Sequence, residues 1–348
     1  MSARNQVAGT KWQSHAGAYV SQLRINLHGY NGLDPAAAIR VTNLYVTPKL
    51  LHGLGACVVP KSEVAKLESF YRKTLRMLQG FSQNTATEAI YIFAGAVTCE
   101  ALLHYRMFSL FGQISRLQYD HPLRRLALRQ MILRGALSWF GKMRELAMLY
   151  KIDLLQALNT PWKKPAWKRH CKESIYTRSR ISLLEGINSK KSVGHMLLEF
   201  KDTLKPNGVW NACIGRPHMV PAAISRSRMM TGRFSCNSAP WLREKTDGMC
   251  VLCGSEQETT PHLLTECSVT QGTIKEAIAN LRDIYRSENL EPPKDKHQLL
   301  SAMINGDRYS NIEDIVQLKK NNKQANIISN FICHSVYKLR EERLNTLI

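Results

Sequence analysis

The amino-acid sequence predicts a mostly α-helical protein. Apolar residues recur every three or four positions along several segments, which is the period of an amphipathic helix, and strict apolar–polar alternation is nearly absent. Prolines and glycines interrupt these segments where helices are expected to end. The chain has 348 residues, 44% of them hydrophobic, which is enough for a sizeable core and for two or more domains.

The clearest helical pattern lies in the N-terminal half. Apolar residues between 64 and 78 share one helix face, with Ser62 as a candidate N-cap and Gly80 as the expected stop. Three further amphipathic segments follow at residues 103–117, 123–150 and 327–347. Breaks in composition near residues 160–165, 205–221 and 291–293 indicate domain boundaries. We expect four regions, which cover residues 1–120, 121–205, 206–280 and 281–348.

The net charge of +21, from 48 Lys and Arg against 27 Asp and Glu, indicates a polyanionic partner, either nucleic acid or an anionic membrane surface. The N-terminal residues lack the apolar stretch of a secretory signal, and the most apolar window, 89–103, is too short to cross a membrane. Nine cysteines, an odd number, argue against a secreted disulfide framework. We therefore expect an intracellular protein, nuclear or cytoplasmic, without a membrane partner.

The positive charge is concentrated in residues 121–180, which contain 14 Lys and Arg against three acidic residues. Within this stretch, residues 162–170 read W-K-K-P-A-W-K-R-H, so that cations alternate with indole rings. Such a run favours nucleic-acid binding, because phosphates attract cations and bases stack on aromatic rings. The candidate contacts here are Trp162, Lys163, Lys164, Trp167, Lys168 and Arg169. The competing interpretation is a solvated helix face whose tryptophans are buried in the core.

One motif has the spacing of a metal site. It reads C-x2-C-x8-H-x4-C and consists of Cys250, Cys253, His262 and Cys267. Three thiolates and one imidazole form the closed tetrahedral shell of structural Zn²⁺. Gly254 permits a tight turn after the second cysteine. The alternative is four unrelated reduced side chains.

The surroundings of this motif are acidic, and Zn²⁺ with three thiolates carries a net negative charge, so phosphate is not expected to approach it. We therefore interpret the ion as a structural element for a stretch too short to bury a core of its own. Three arginines just upstream are better candidates for contacts to a nucleic-acid backbone: Arg226, Arg228 and Arg233.

Catalytic motifs are not found. The sequence has no nucleotide-binding loop, no H-E-x-x-H and no nucleophile elbow. Two-metal phosphoryl transfer needs clustered carboxylates, and the acidic residues are scattered without any Asp-Asp pair. We expect no enzymatic activity and no catalytic residue in this chain.

The motif nevertheless resembles a known family. The C-x2-C-G start, the Glu258-Thr259 pair, the His262-Leu263-Leu264 run and the last cysteine are similar to the zinc-binding segment downstream of the reverse transcriptase in non-LTR (LINE-like) retrotransposons. Upstream, Thr231-Gly232-Arg233 fits the same pattern. Residues 27–35, 45–54, 66–73 and 110–112 are similar to the region that follows the polymerase palm in this family.

The resemblance implies a helical, thumb-like region at 1–120, a basic connector at 121–205, a zinc knuckle at 206–280 and C-terminal helices at 281–348. Such a fragment would bind RNA, DNA or an RNA–DNA hybrid. The catalytic aspartates of the family lie upstream of the matching segments, and nothing here corresponds to them. The alternative is a zinc-stabilised protein-interaction module, or an inert remnant of a transposable element that binds no nucleic acid.

Overall fold

The computed structural model describes residues 33–133, 138–190, 206–239, 242, 246–287, 291–305 and 315–347. Part of one segment that carries the resemblance, 27–32, lies outside these residues. The described residues form helices without any named β-strand, so the predicted mostly α-helical class is confirmed.

The described residues contain 14 α-helices, which are numbered here in chain order. The first five are α1 (Pro35–Val41), α2 (Thr47–Leu50), α3 (Lys61–Leu78), α4 (Thr87–Ala94) and α5 (Cys99–Ser115). The next four are α6 (Pro122–Ile132), α7 (Trp139–Tyr150), α8 (Leu154–Asn159) and α9 (Lys164–Asn188). The last five are α10 (Gly208–Asn211), α11 (Val220–Met230), α12 (Ser268–Ser287), α13 (Lys296–Asn305) and α14 (Ile315–Leu347). Two π-helical stretches, Thr42–Val46 and His262–Glu266, join α1 to α2 and precede α12.

Helix α3 follows the predicted pattern closely. Its apolar stripe is buried from Leu67 to Leu78, and Gly80, with a φ of 63°, ends it as expected. The N-cap prediction was wrong, because Pro60 occupies that position with an extended ψ of 147° and Ser62 lies inside the first turn. Proline, which has no N–H to leave unsatisfied, suits the start of a helix.

The segment predicted as one helix at 123–150 forms two. Helix α6 ends at Ile132, and α7 begins at Trp139 after Ser138, whose hydroxyl accepts a hydrogen bond from the Gly141 N–H at 3.1 Å. A serine in this N-cap position satisfies an amide that has no partner within the helix. The C-terminal segment predicted at 327–347 lies inside the longer helix α14.

The buried apolar side chains form two clusters. The first core unites residues from α1–α4 and α10–α14 with the cysteine-rich motif, and the second core unites residues from α5–α9. Helices α5 and α9 pack on each other and contribute to both: Trp167 and Ile175 of α9 belong to the second core, whereas Leu183 and Ile187 belong to the first. The two cores are therefore joined along these helices.

The boundary expected at residue 280 falls inside α12, which packs against α14. The motif region and the C-terminal helices therefore share the first core. None of the helices within the described residues combines the length and the apolar character that a membrane span requires.

Candidate metal centre and basic surface

The first half of the metal motif is a tight loop that carries Cys250 and Cys253. Its ends are paired by an isolated bridge between Met249 and Gln257, and the Cys250 N–H donates to the Glu256 carbonyl at 2.8 Å. Gly254 closes the turn with a φ of 67°, and its N–H donates to the Cys250 carbonyl at 2.8 Å. A side chain would be strained at this φ, so the expected role of Gly254 is supported.

The second half is the π-helical stretch His262–Glu266. The Cys267 N–H donates to the His262 carbonyl at 2.8 Å, and α12 starts at the next residue. Leu263 and Leu264, between the two ligands, are completely buried in the first core. Burial of these leucines orients His262 and Cys267 toward the loop.

The two halves bring all four predicted ligands together. One ligand atom from each of the four lies within 4.8 Å of every other, and the Cys253 Sγ is 3.3 Å from the His262 Nε2. Cys250, His262 and Cys267 are buried, and Cys253 is half-buried. This cluster could hold a metal ion, and three sulfur donors with one imidazole form a set that suits Zn²⁺.

His262 is oriented by a carboxylate that sequence reasoning treated only as local acidity. The Glu256 Oε2 lies 2.9 Å from the His262 Nδ1. A carboxylate accepts, so Nδ1 carries the proton and Nε2 presents its lone pair to the thiols. Such an outer partner fixes the tautomer of a metal-binding histidine.

The thiols differ in acidity. The Ser255 hydroxyl and then the Ser255 N–H lower the pKa of Cys253 to about 6, whereas burial raises the pKa of Cys250 to about 12. Of these two thiols, Cys253 ionises more readily. Deprotonation of Cys250 needs a positive charge next to it, which a bound divalent ion supplies.

A buried ion pair fastens the loop to the C-terminal helix. The completely buried Glu258 accepts from the Asn237 N–H at 2.8 Å and from the Val251 N–H at 3.1 Å. It also accepts from the Arg340 Nε of α14 at 2.8 Å. Arg340 is itself buried and donates to the Asn237 Oδ1 at 3.3 Å. No sequence pattern pairs residues 82 positions apart, so sequence reasoning missed this contact.

The predicted nucleic-acid contacts on α9 form a basic surface. Lys163, Lys164, Lys168 and Arg169 are exposed, and none of them forms an ion pair within the described residues. They surround the N-terminal end of a 25-residue helix that has no acidic residue in its first turn. The helix dipole is positive at this end, so it adds to the charge of the side chains.

The structure corrects two of the predicted contacts. Trp167 is 2% exposed, and its Nε1 donates to the Phe108 carbonyl at 2.8 Å, so its ring supports the second core and is not available for base stacking. Arg226 is completely buried and donates to the Ile304 carbonyl at 2.8 Å and to the Asn326 Oδ1 at 2.8 Å. Its guanidinium cannot reach a phosphate.

The other predicted contacts lie at or near the surface. Trp162 is half-buried, with its ring centroid 5.0 Å from that of His170. Arg228 is exposed and Arg233 is half-buried. These three side chains keep an open face, so their proposed role stays a prediction.

Comparisons with protein-family models, curated proteins and solved structures found no match to this chain.

Proposed function

We propose that this chain is a nucleic-acid-binding segment, similar to the C-terminal part of a non-LTR retrotransposon reverse transcriptase, and that Zn²⁺ holds part of it together. The exposed cations at the start of α9 carry this proposal, because they have no acidic partner among the described residues. Like charges held together at the positive end of a helix destabilise the free protein, and a polyanion removes that cost.

The contacts would go mainly to the sugar–phosphate backbone. Lysines and arginines bind phosphate whatever the base, so affinity should depend on salt and only weakly on sequence. The half-buried Trp162, which lies beside these cations, is the remaining ring on which a base could stack.

The metal has a separate role in this proposal. Zn²⁺ would be held by Cys250, Cys253, His262 and Cys267 and would supply folding free energy, since part of the first core is built from the motif itself. The acidic side chains around it, including Glu256 and Glu266, would keep phosphates away.

The test is fluorescence anisotropy of labelled single-stranded RNA and DNA over a salt series. The quadruple variant Lys163→Ala, Lys164→Ala, Lys168→Ala, Arg169→Ala should lose four phosphate contacts, which flattens the slope of log K against log salt by about 3. The control variant also removes three lysines and one arginine, all exposed elsewhere: Lys61→Ala, Lys73→Ala, Lys275→Ala, Arg343→Ala. Equal slopes for the two variants, or no binding by the wild type at about 50 mM salt, would contradict the proposal.

The alternative, a protein-interaction module, is favoured by one surface feature. A groove of 360 Å³ between α6, α7 and α8 is lined mainly by apolar side chains, including Met131, Met148 and Leu155. Met148 is 72% exposed. A protein partner that stays bound after nuclease treatment and is released by Met148→Asp would support this second function.

A further inference from the structure

A small pocket lies between α11 and α14. These helices belong to the first core, whereas the basic surface at the start of α9 adjoins the second core. Its volume is 180 Å³, and four side chains with polar groups line it: Ser225 and Arg228 from α11, and His334 and Tyr337 from α14. No carboxylate of the described residues lines it. Pockets for drug-sized ligands start at about 300 Å³, so this one suits a single small group.

The pocket contains a preformed pair of polar groups. The Ser225 Oγ lies 3.2 Å from the His334 Nδ1, and it also lies 3.1 Å from the Pro221 carbonyl, to which it donates. The hydroxyl therefore accepts from Nδ1–H. The His334 and Tyr337 rings stack with centroids 6.1 Å apart and planes 19° from parallel, which holds the imidazole in place.

The pocket also contains an uncompensated charge. Arg228 is exposed, and within the described residues no ion pair or hydrogen bond engages its guanidinium. Burial and the nearby Lys338 lower the pKa of His334, so the free pocket disfavours a second cation. A bound anion would favour the imidazolium, which donates from both ring nitrogens.

The apolar side chains of the pocket suit the sugar that adjoins each phosphate in a nucleic acid. Val220, Pro221 and Ile224 line the same pocket as the polar groups. A sugar carries little charge and packs well on aliphatic side chains and on a tyrosine ring. The guanidinium fork matches the geometry of phosphate oxygens.

We propose that this pocket binds one phosphate group of a nucleic-acid strand, with Arg228 and His334 as the charged donors and Ser225 as the positioning group. This inference rests on the proposed function for its ligand, but the pocket lies apart from the cations of α9. The proposal places a phosphate contact on the first core. The cysteine-rich motif of that core is not expected to make such a contact, because its surroundings are acidic.

The first experiment uses inorganic phosphate and the full, Zn²⁺-loaded chain. Histidine ring signals are followed by NMR during a phosphate titration, and the His334 signals are assigned with His334→Gln. They should shift with half-saturation at about 1–10 mM phosphate. Arg228→Ala should weaken phosphate binding by about tenfold or more. Arg228→Lys should weaken it less, because lysine keeps the positive charge but lacks the two-pronged guanidinium group. Arg343→Ala, which removes another exposed arginine, on α14, should leave phosphate binding unchanged.

The second experiment identifies the source of the phosphate. With a labelled strand of about 20 nucleotides, Arg228→Ala should flatten the salt slope by about 0.7, and Arg343→Ala should leave it unchanged. If the His334 signals do not shift when phosphate is added, the proposed phosphate site is wrong. Signals that shift in phosphate, with an unchanged salt slope for Arg228→Ala, overturn the strand assignment and leave a site for free phosphate. If the α9 quadruple variant binds nucleic acid as well as the wild type does, the proposed function is wrong instead. The experiments therefore distinguish failure of the pocket proposal from failure of the proposed function.

Discussion

The candidate metal centre and the start of helix α9 differ in how their charges are compensated. At the centre, Glu258 is buried against Arg340, and Glu256 is engaged with His262. At the start of α9, Lys164 and Lys168 are exposed without an acidic partner among the described residues. Removing one partner of a buried ion pair destabilises a fold, whereas exposed charges without a counter-charge are available to a ligand. This difference supports the proposed roles, a structural role for the first region and ligand binding for the second.

The largest expected effect is the loss of the metal. Cys267→Ser should destabilise the protein by more than about 3 kcal/mol, because a buried ligand is lost and the first core depends on the motif. Urea unfolding followed by circular dichroism, with and without a chelator, measures this. Cys57→Ser is the control, since Cys57 is exposed and far from the cluster in sequence. A chelator that leaves wild-type stability unchanged would show that no metal supports this region.

The next effect comes from the buried ion pair. Glu258→Gln should cost about 3 kcal/mol, because it leaves the Arg340 guanidinium buried without its counter-charge. Unfolding of Glu258→Gln, of Arg340→Met and of the double variant gives the coupling between the two residues. Glu341→Gln is the matched control: its carboxylate also contacts Arg340, at 3.5 Å, but at the surface, and should cost less than about 0.5 kcal/mol. Similar costs for both glutamates would contradict the structural role.

The second core should respond to acid through His104. Burial, and then Lys142, lower the pKa of His104 from 6.5 to about 4. The unfolded state therefore binds a proton first, so this contribution to stability is complete above pH 6.5 and is lost as pH falls from 6.5 toward 4. The loss should reach about 3 kcal/mol. A plot of the free energy of unfolding against pH over this range should be flatter for His104→Gln. The His218→Gln variant, which changes an exposed histidine, should keep the wild-type slope.

The smallest effect tests the uncompensated charge directly. Lys164→Ala should stabilise the protein by about 0.3 kcal/mol, because it removes a cation from the positive end of α9. Lys190→Ala, just beyond the other end of the same helix, should destabilise it slightly, since Lys190 pairs with Glu88. Thermal unfolding of the two variants at low salt measures the difference, and the same sign for both would weaken the distinction between the regions.

Local patterns were predicted more reliably than distant contacts. The helix of α3 and its stop at Gly80 follow from apolar spacing and from the conformational freedom of glycine. The four candidate ligands lie within 18 residues, so their spacing was sufficient to group them. The split between α6 and α7 was missed because the apolar period continues across it.

Residue type alone was misleading for the large and charged side chains. Trp167 and Arg226 have the chemistry of nucleic-acid contacts, but each lies on the buried side of its helix and bonds to a distant carbonyl. Trp162 and Arg228, of the same types, keep an open face. For the two arginines of α11 the difference is the helix face that packing turns inward, whereas Trp162 precedes α9 and lies outside the helix.

The amino-acid sequence by itself determined the helical class, the excess of positive charge and the set of candidate metal ligands, because each depends on composition or on spacing within a few turns. Only the tertiary structure decided which cations reach solvent, how Glu258 meets Arg340 and how Ser225 meets His334. These contacts join residues about 80 to 110 positions apart, and they form only when α14 packs against α11 and the motif, which buries apolar surface along the whole interface.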